Sequence, residues 1–322
     1  MSKEIIAKKI YQAILSAKKI LLVTHYNPDG DALASLSAMM LILKSLGKNH
    51  QAFCADETDE RFAWLPLIAQ VIHDEKRLDL DACDVIISLD CGSLQRTRLA
   101  GRLKARRPDQ CLIEIDHHQK IEDVADLELR LPEAAATAEV IYDWLKINRL
   151  PLTPSLAECL LTGLLTDTGV FVYSATSQKS LAMGAELLSR GAVWPKIVNA
   201  TRAKYCLAAA RLWGVALARL QINPTYQVAW TVLTEEDWQA VGASEEMTEE
   251  LAGFLSRLGG VKAVLLLKDS ADGVVKGSWR SCQDGVDVAK LAARLGGGGH
   301  AKAAGFHFNG QLKSTTKGWL VE

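Results

Sequence analysis

Residues 24–35 read THYNPDGDALAS. One imidazole and two carboxylates, His25, Asp29 and Asp31, surround Pro28 and Gly30 directly after an apolar run. Proline and glycine permit a tight turn, so the three side chains can converge. Imidazole nitrogen with carboxylate oxygen suits hard or borderline divalent cations. Asp29 or Asp31 would serve equally as the N-cap of a following helix. Asp90 ends the apolar run of CDVIISLDCG (83–92), Asp116, His117 and His118 end QCLIEIDHH (110–118), and Asp167 ends the run before TG in LLTDTG. Taken singly, Asp90 fits a turn former and Asp167 a cap, whereas two adjacent histidines after an aspartate at a strand end are costly to place as a mere surface pair. Taken together, His25, Asp29, Asp31, Asp90, His117 and Asp167 offer enough donors for two ions if one carboxylate bridges them. Two ions roughly 3.5–4 Å apart can bind both the attacking and the leaving oxygen of an in-line phosphoryl displacement.

These residues need a frame that gathers them. Helical spacing is read over 3–17, 33–47, 135–148, 155–169 and 177–192, and apolar strand-like runs over 18–25, 50–56, 83–92 and 110–118. The alternation predicts an α/β domain with a mostly parallel sheet flanked by helices. Ligands of such sheets lie beyond the carboxyl ends of the strands, where His25, Asp90 and 116–118 all fall. Residues 193–225 read as a mainly helical connector carrying Arg202, Lys204, Arg211 and Arg219. From 226 the texture changes to strands at 226–233, 261–269 and 274–281, with helices across 245–258 and 286–297. The expected organisation is a catalytic domain over 1–192, a connector over 193–225 and a smaller α/β domain over 226–322.

Apolar residues make up 49% and charged residues 23% of the 322, with a formal net charge of −1. That balance argues against a broad surface for coating nucleic acid, which is usually strongly basic. The run RTRLAGRLKARR (96–107) could attract phosphates, but reads more simply as a solvated helix face. Seven cysteines, odd in number, widely spaced and without C-x-x-C, indicate a reducing compartment with neither a disulfide framework nor structural zinc. The N-terminal helix carries charges throughout, unlike a signal peptide, and no run approaches the ~18 apolar residues of a membrane span. A cytoplasmic protein is expected.

A second constellation is GGGGHAKAAG, which begins at Gly296. Successive glycines allow close backbone approach and present N–H groups. The segment lacks the GK[ST] of a phosphate-binding P-loop. A flexible interdomain turn is the lesser alternative explanation of the glycines. Arg280 in SWRS falls on a strand, where its guanidinium calls for a phosphate or a surface carboxylate.

The order HYNPDGDA, SLDCG, DHH, LLTDTG and GGGGH-x-x-AAG resembles the DHH–DHHA1 phosphoesterases over nearly the whole chain. Within them, length, the TDTGVFVYS segment and the R-S…GVDV…GGGGH pattern resemble the bifunctional oligoribonuclease and pAp phosphatase type. The extra domain expected of the RecJ single-strand exonuclease has no room here. The resemblance implies two divalent ions, with Mn²⁺ the expected metal. His25, Asp29 and Asp90 would ligate one, Asp31, Asp90, His117 and Asp167 the other, and Asp90 would bridge. Asp116 would orient the first histidine, and His118 would face the scissile phosphate. Arg280, Gly297, Gly298, Gly299 and His300 would grip substrate from the second domain, placing the active site in an interdomain cleft. The implied reaction is two-metal hydroxide attack on very short single-stranded RNA, giving 5′-mononucleotides, and on pAp, giving AMP and phosphate. The same motifs fit a phosphodiesterase of cyclic-di-AMP or linear pApA, or a nucleotide-binding protein with an inactive site, and they leave a homodimer open. Two positions depart from the pattern: Ala34 stands where glycine is expected, and Val172 where arginine is expected.

Overall fold

The computed structural model describes residues 2–201, 207–243, 245–270, 273–315 and 318–322. Arg202 and Lys204 of the expected connector, and Cys206, lie outside the described residues. The chain divides into two compact units, Met1–Ala203 and Lys204–Glu322.

The first unit opens with helix α1 (Lys3–Ser16), strand β1 (Lys19–Val23), α2 (Gly30–Ser45) and β2 (Asn49–Phe53). Then come β3 (Val85–Leu89), α3 (Ala100–Lys104), β4 (Cys111–Asp116) and β5 (Leu127–Arg130). Four helices complete it: α4 (Thr137–Ile147), α5 (Pro154–Asp167), α6 (Gln178–Ser189) and α7 (Trp194–Thr201). The strands form one sheet in the order β2-β1-β3-β4-β5, with every neighbouring pair parallel. Strand order reverses between β1 and β3, the crevice where open α/β sheets bind ligands.

Side chains alternate across this sheet with a period of two. Ile20, Leu22, Ile87, Leu89, Ile113 and Ile115 join the core formed with the long helices, including Leu33, Leu36, Met39, Trp144 and Leu160. Leu21, Val23, Ile86 and Leu112 pack the opposite way, against Leu94, Leu99 and Leu103. Helix α2 is buried on nearly every side. Two glycines let it approach α5 closely. A Cβ on Gly30 would stand 2.7 Å from the Thr166 hydroxyl, and one on Gly163 would stand 2.7 Å from the Ala138 Cβ and strike an Asp31 oxygen. Ala34, where the sequence pattern led us to expect glycine, is fully buried in α2.

The second unit contains α8 (Leu207–Ala218), β6 (Gln221–Asn223), β7 (Val228–Leu233), α9 (Glu235–Val241) and α10 (Glu249–Leu255). These are followed by β8 (Ala263–Ser270), β9 (Val274–Ser281), α11 (Ala289–Ala293), β10 (Gly298–His300) and β11 (Ala303–Asn309). A hairpin of β12 (Leu312–Thr315) and β13 (Gly318–Val321) ends the chain. Its main sheet runs β10-β11-β9-β8-β7-β6. Only β7 and β8 pair in parallel; the other neighbours are antiparallel.

Three readings of the sequence need correction. The helix expected at 33 begins at Gly30, because the Asp29 carboxylate caps it by accepting from Ala32 N; Asp31 is therefore a helical residue. The glycine run is no free turn. Gly298–His300 is a strand paired with Ala303–Gly305, and the helix before it is confined to Ala289–Ala293. The stretch 193–222 is helical over Trp194–Thr201 and Leu207–Ala218, but Gln221–Asn223 pairs as an edge strand with β7. The basic run 96–107 is largely neutralised: Arg98, Lys104, Arg106 and Arg107 form ion pairs with Asp56, Glu122, Asp126 and Asp109.

Candidate metal centre

Local structure delivers each donor to the carboxyl edge of the first sheet. β1 runs into His25, whose Nδ1 donates to the Tyr26 carbonyl at 2.8 Å. That bond fixes Nδ1 as the protonated nitrogen and leaves a lone pair on Nε2, which is buried without a hydrogen-bond partner. The nearest carboxylate oxygens are those of Asp29 at 3.8 Å and Asp90 at 3.9 Å. Asp90 leaves β3 with φ of 60°, a left-handed conformation that is uncommon outside glycine. Its Oδ1 accepts from the Thr137 hydroxyl at 2.8 Å. His117 follows β4, its Nδ1 turned to the Ala134 carbonyl at 3.4 Å. Its Nε2 stands 3.3 Å from Asp167 and 3.5 Å from Asp90. Asp167 ends α5.

Asp31 is the most enclosed member. Its carboxylate accepts from the backbone N–H groups of Thr137, at 2.5 Å, and Ala138, at 3.0 Å, and from the Ser35 hydroxyl at 3.3 Å. Thr137 and Ala138 are the first residues of α4, where free N–H groups and the helix dipole favour an anion. The same helix end thus steadies Asp31 through its backbone and Asp90 through the Thr137 side chain.

Donor atoms within 4.8 Å of one another form three groups: His25, Asp29 and Asp90; Asp31, His117 and Asp167; and Asp90, His117 and His118. Burial, then the charges of Asp31, Asp29 and Asp167, push Asp90 well above the ordinary carboxylate range. Burial and Asp29 push Asp31 up to about 7, and burial with Asp31 and Asp29 pushes Asp167 up to about 9. Burial also drives His25 and His117 down, so the imidazoles do not supply the missing positive charge. Neutral imidazoles facing carboxylates whose ionisation is opposed by burial and by one another are the donor set of a divalent metal centre. The residues present fit such ions.

Asp116 behaves differently, and its expected role needs correction. It holds the second histidine rather than the first: Oδ1 accepts from His118 Nδ1 and from His118 N, both at 2.8 Å. Oδ2 accepts from Gly92 N at 2.7 Å, and Arg130 lies 3.5 Å away. Burial opposes ionisation of Asp116, but the His118 bonds, the Arg130 charge and Gly92 N–H outweigh it and hold the carboxyl low, at about 2. With its oxygens engaged this way, Asp116 leaves His117 to the Ala134 carbonyl.

Thr137, Gly163, Gly92 and Arg130 were not singled out from the sequence. Thr137 follows an alanine run without a motif, although an apolar stretch broken by threonine at a helix start is a capping signal. Gly163 inside an apolar helix is the other legible mark, since glycine there costs ~1 kcal/mol against alanine and invites a packing explanation. In the second unit, Arg280 lies on β9, opposite Ala303 of β11, and among the described residues no carboxylate pairs with it.

An open parallel sheet whose switch point gathers buried carboxylates and imidazoles defines a metal-dependent α/β enzyme class. The family model of the DHH family N-terminal domain matches residues 19–164, and that of the DHHA1 domain matches 226–316. The chain belongs to the DHH–DHHA1 phosphoesterases. It is 29% identical over 291 residues to the bifunctional oligoribonuclease and PAP phosphatase NrnA of Thermus thermophilus, covering 90% of this chain and 84% of that protein. It is 25% identical to the cyclic-di-AMP phosphodiesterase GdpP of Geobacillus thermodenitrificans, over 98% of this chain but 48% of that protein. Among solved structures it resembles an exopolyphosphatase-related protein from Bacteroides fragilis, with a TM-score of 0.80, 26% identity and coverage of 95% and 92% of the two chains. Among the described residues no helix is long and apolar enough to cross a membrane.

Three outcomes follow from this geometry. Thr137→Val, which keeps the shape and removes the donor to Asp90, weakens divalent-metal binding about tenfold in calorimetric titration of chelated protein, whereas Thr137→Ser retains it. In Gly163→Ala the gain in helix propensity is ~1 kcal/mol. Overpacking against Asp31 costs about 1–3 kcal/mol, so the net effect in urea unfolding is destabilising and metal affinity falls with it. Carboxyls raised in the folded state remove stability as pH climbs from their unfolded value through their folded one. Chelated protein therefore loses thermal stability between pH ~4 and the values of about 7 and 9 at Asp31 and Asp167. The stabilisation by added divalent ion grows over that interval, and Asp167→Asn flattens the profile in differential scanning.

Proposed function

We propose that this chain hydrolyses phosphate esters of very short oligoribonucleotides, releasing 5′-mononucleotides, and converts pAp to AMP and phosphate. The observation that supports the reading is that Asp90 belongs to two donor groups, one with His25 and Asp29 and one with His117 and His118, beside a third of Asp31, His117 and Asp167, in a DHH–DHHA1 chain. The relatives named for these two activities support the substrate class. His25, Asp29 and Asp90 would hold one ion and Asp31, Asp90, His117 and Asp167 the other, with Mn²⁺ the metal we propose. Bound ions supply the Lewis acidity that polarises phosphoryl oxygens and lowers the pKa of water.

The chain's own groups account for the rest. Thr137 and the start of α4 hold Asp90 and Asp31 in place, which keeps the donor geometry fixed through the reaction. A water gives up a proton as its oxygen bonds to phosphorus, and the P–O ester bond breaks with its electron pair leaving on the ester oxygen. The Asp116–Nδ1 bond sets the His118 ring, leaving Nε2 to meet the phosphate and return a proton to the leaving oxygen. Arg280, His300 and the backbone of Gly297, Gly298 and Gly299 would grip another part of the nucleotide, a guanidinium being matched to phosphate. At Val172, 73% exposed, an apolar side chain stands where the family pattern led us to expect arginine, so the grip we propose does not draw on that position.

A second reading, cleavage of cyclic-di-AMP or pApA, has the likeness to GdpP in its favour. Product analysis with pAp, 5′-labelled di- to pentaribonucleotides, pApA and cyclic-di-AMP in Mn²⁺ separates the two. AMP from pAp and mononucleotides from the short RNAs, reduced at least about 100-fold in Asp90→Ala, are the expected result. Turnover of cyclic-di-AMP alone would replace the substrate assignment and leave the metal centre standing.

A further inference from the structure

On the second unit's sheet, the face that carries Val264 and Leu266 is buried under α8 and α10 over β7 and β8, and is open over β9, β10 and β11. Register places side chains on that face in cross-strand rows. His300, Ala303 and Arg280 form one row, Gly298, Gly305 and Ser278 the next, and His307, Lys276 and Lys268 the third. The opposite face is covered: Ala304 and Phe306 pack with Val288 and Ala292 of the α11 segment. On the open face, Lys268, Lys276, Ser278, Gly298, Gly305 and His307 line a concavity of about 560 Å³ that also takes in Gly296 and Gly297. Among the described residues every ionisable side chain lining it is a lysine or a histidine, and Lys268 also donates to the Thr248 hydroxyl at 3.1 Å.

The middle row is bare for a reason the fold does not supply. Neither Gly298 nor Gly305 has a positive φ. A Cβ on Gly298 would meet nothing within 4 Å, and one on Gly305 only the Gly277 carbonyl at 3.5 Å, an ordinary contact. The protein could carry side chains at both positions, and extended strands favour β-branched ones. Their absence leaves a flat floor between two basic rows. The rows at Arg280 and Lys276 are four residues apart along β9, about 13 Å at a strand's rise per residue, which is room for more than a single nucleotide.

We propose that Lys268, Lys276 and His307 form a second anion subsite, which takes a further backbone phosphate of an oligoribonucleotide whose other phosphate is held at Arg280 and His300. The strand crosses the glycine floor between them. The subsite sets preference among short chains: a tetranucleotide reaches it and a dinucleotide does not. This inference rests on the oligoribonuclease reading above.

Steady-state kinetics on di- and tetraribonucleotides at several salt concentrations test it. In Lys276→Gln/His307→Ala the ratio of tetranucleotide to dinucleotide KM rises about tenfold. The slope of log(kcat/KM) against log[salt] for the tetranucleotide becomes shallower by about 0.7, the loss of one single-strand phosphate contact. Gly305→Val, which leaves the charges in place and fills the floor, raises the same ratio without that change in slope. If wild type cleaves both substrates and neither variant moves the ratio, the subsite is overturned while the oligoribonuclease assignment stands. If wild type cleaves neither, the assignment itself fails and the subsite with it.

Discussion

Burying two carboxylates, Asp31 and Asp90, beside the more accessible Asp29 and Asp167 is the constraint around which the first unit is organised. Asp31 and Asp90 are essentially inaccessible to solvent, and burying charge without a partner is strongly unfavourable. Part of the compensation is built in. The N-terminus of α4 offers two N–H groups to Asp31, and Thr137 gives its hydroxyl to Asp90. The remainder is reserved for cations, since the two imidazoles facing the cluster are held neutral by their own burial. A site stabilised only this far is poised to bind divalent metal.

The close approach of α2 and α5 follows from the same constraint. Asp31 reaches the α4 terminus only because Gly163 leaves a gap where a methyl group would stand. Helix α2 is correspondingly apolar on nearly all sides and locked between the sheet and α5. The second ring of interactions works through Asp116, whose low pKa marks it as a fixed negative charge tied to Arg130, Gly92 and His118. Arg130 in turn bonds Glu114 and Glu128. The second of the adjacent histidines is therefore held by an ionised carboxylate, and the first by a backbone carbonyl. Under the function proposed above, that difference would suit the first to metal ligation and the second to proton transfer.

The second unit solves a different problem. Its sheet buries one face under α11 and keeps the strands β9, β10 and β11 open on the other, with glycine, alanine and serine where larger residues would fit. A surface that gives up strand propensity for flatness is suited to a planar or extended ligand. Its basic rows suit one with phosphates.

Much of the site was readable from order and residue type. Asp and His at the ends of apolar runs are what a parallel sheet's carboxyl edge requires, because period-two burial of the strand leaves its last residues free for chemistry. His25, Asp90 and His117 stood out for that reason, Asp29 and Asp31 for their spacing around a proline and a glycine, and Asp167 for its place after an apolar run, while the alternation of strands with helices was legible from their different hydrophobic periods. Partnerships across space were not. Which histidine Asp116 holds depends on a turn geometry that places His118 N and Nδ1 against one oxygen. The part played by Thr137 depends on α4 ending against α2, more than a hundred residues away in the chain. The glycine run was ambiguous between turn and strand because glycine has no side chain to show periodicity, and only pairing with Ala303–Gly305 resolved it. Local pattern determined which residues could do chemistry; long-range packing decided which atoms meet, since hydrogen-bond partners are set by distances that no sequence spacing encodes.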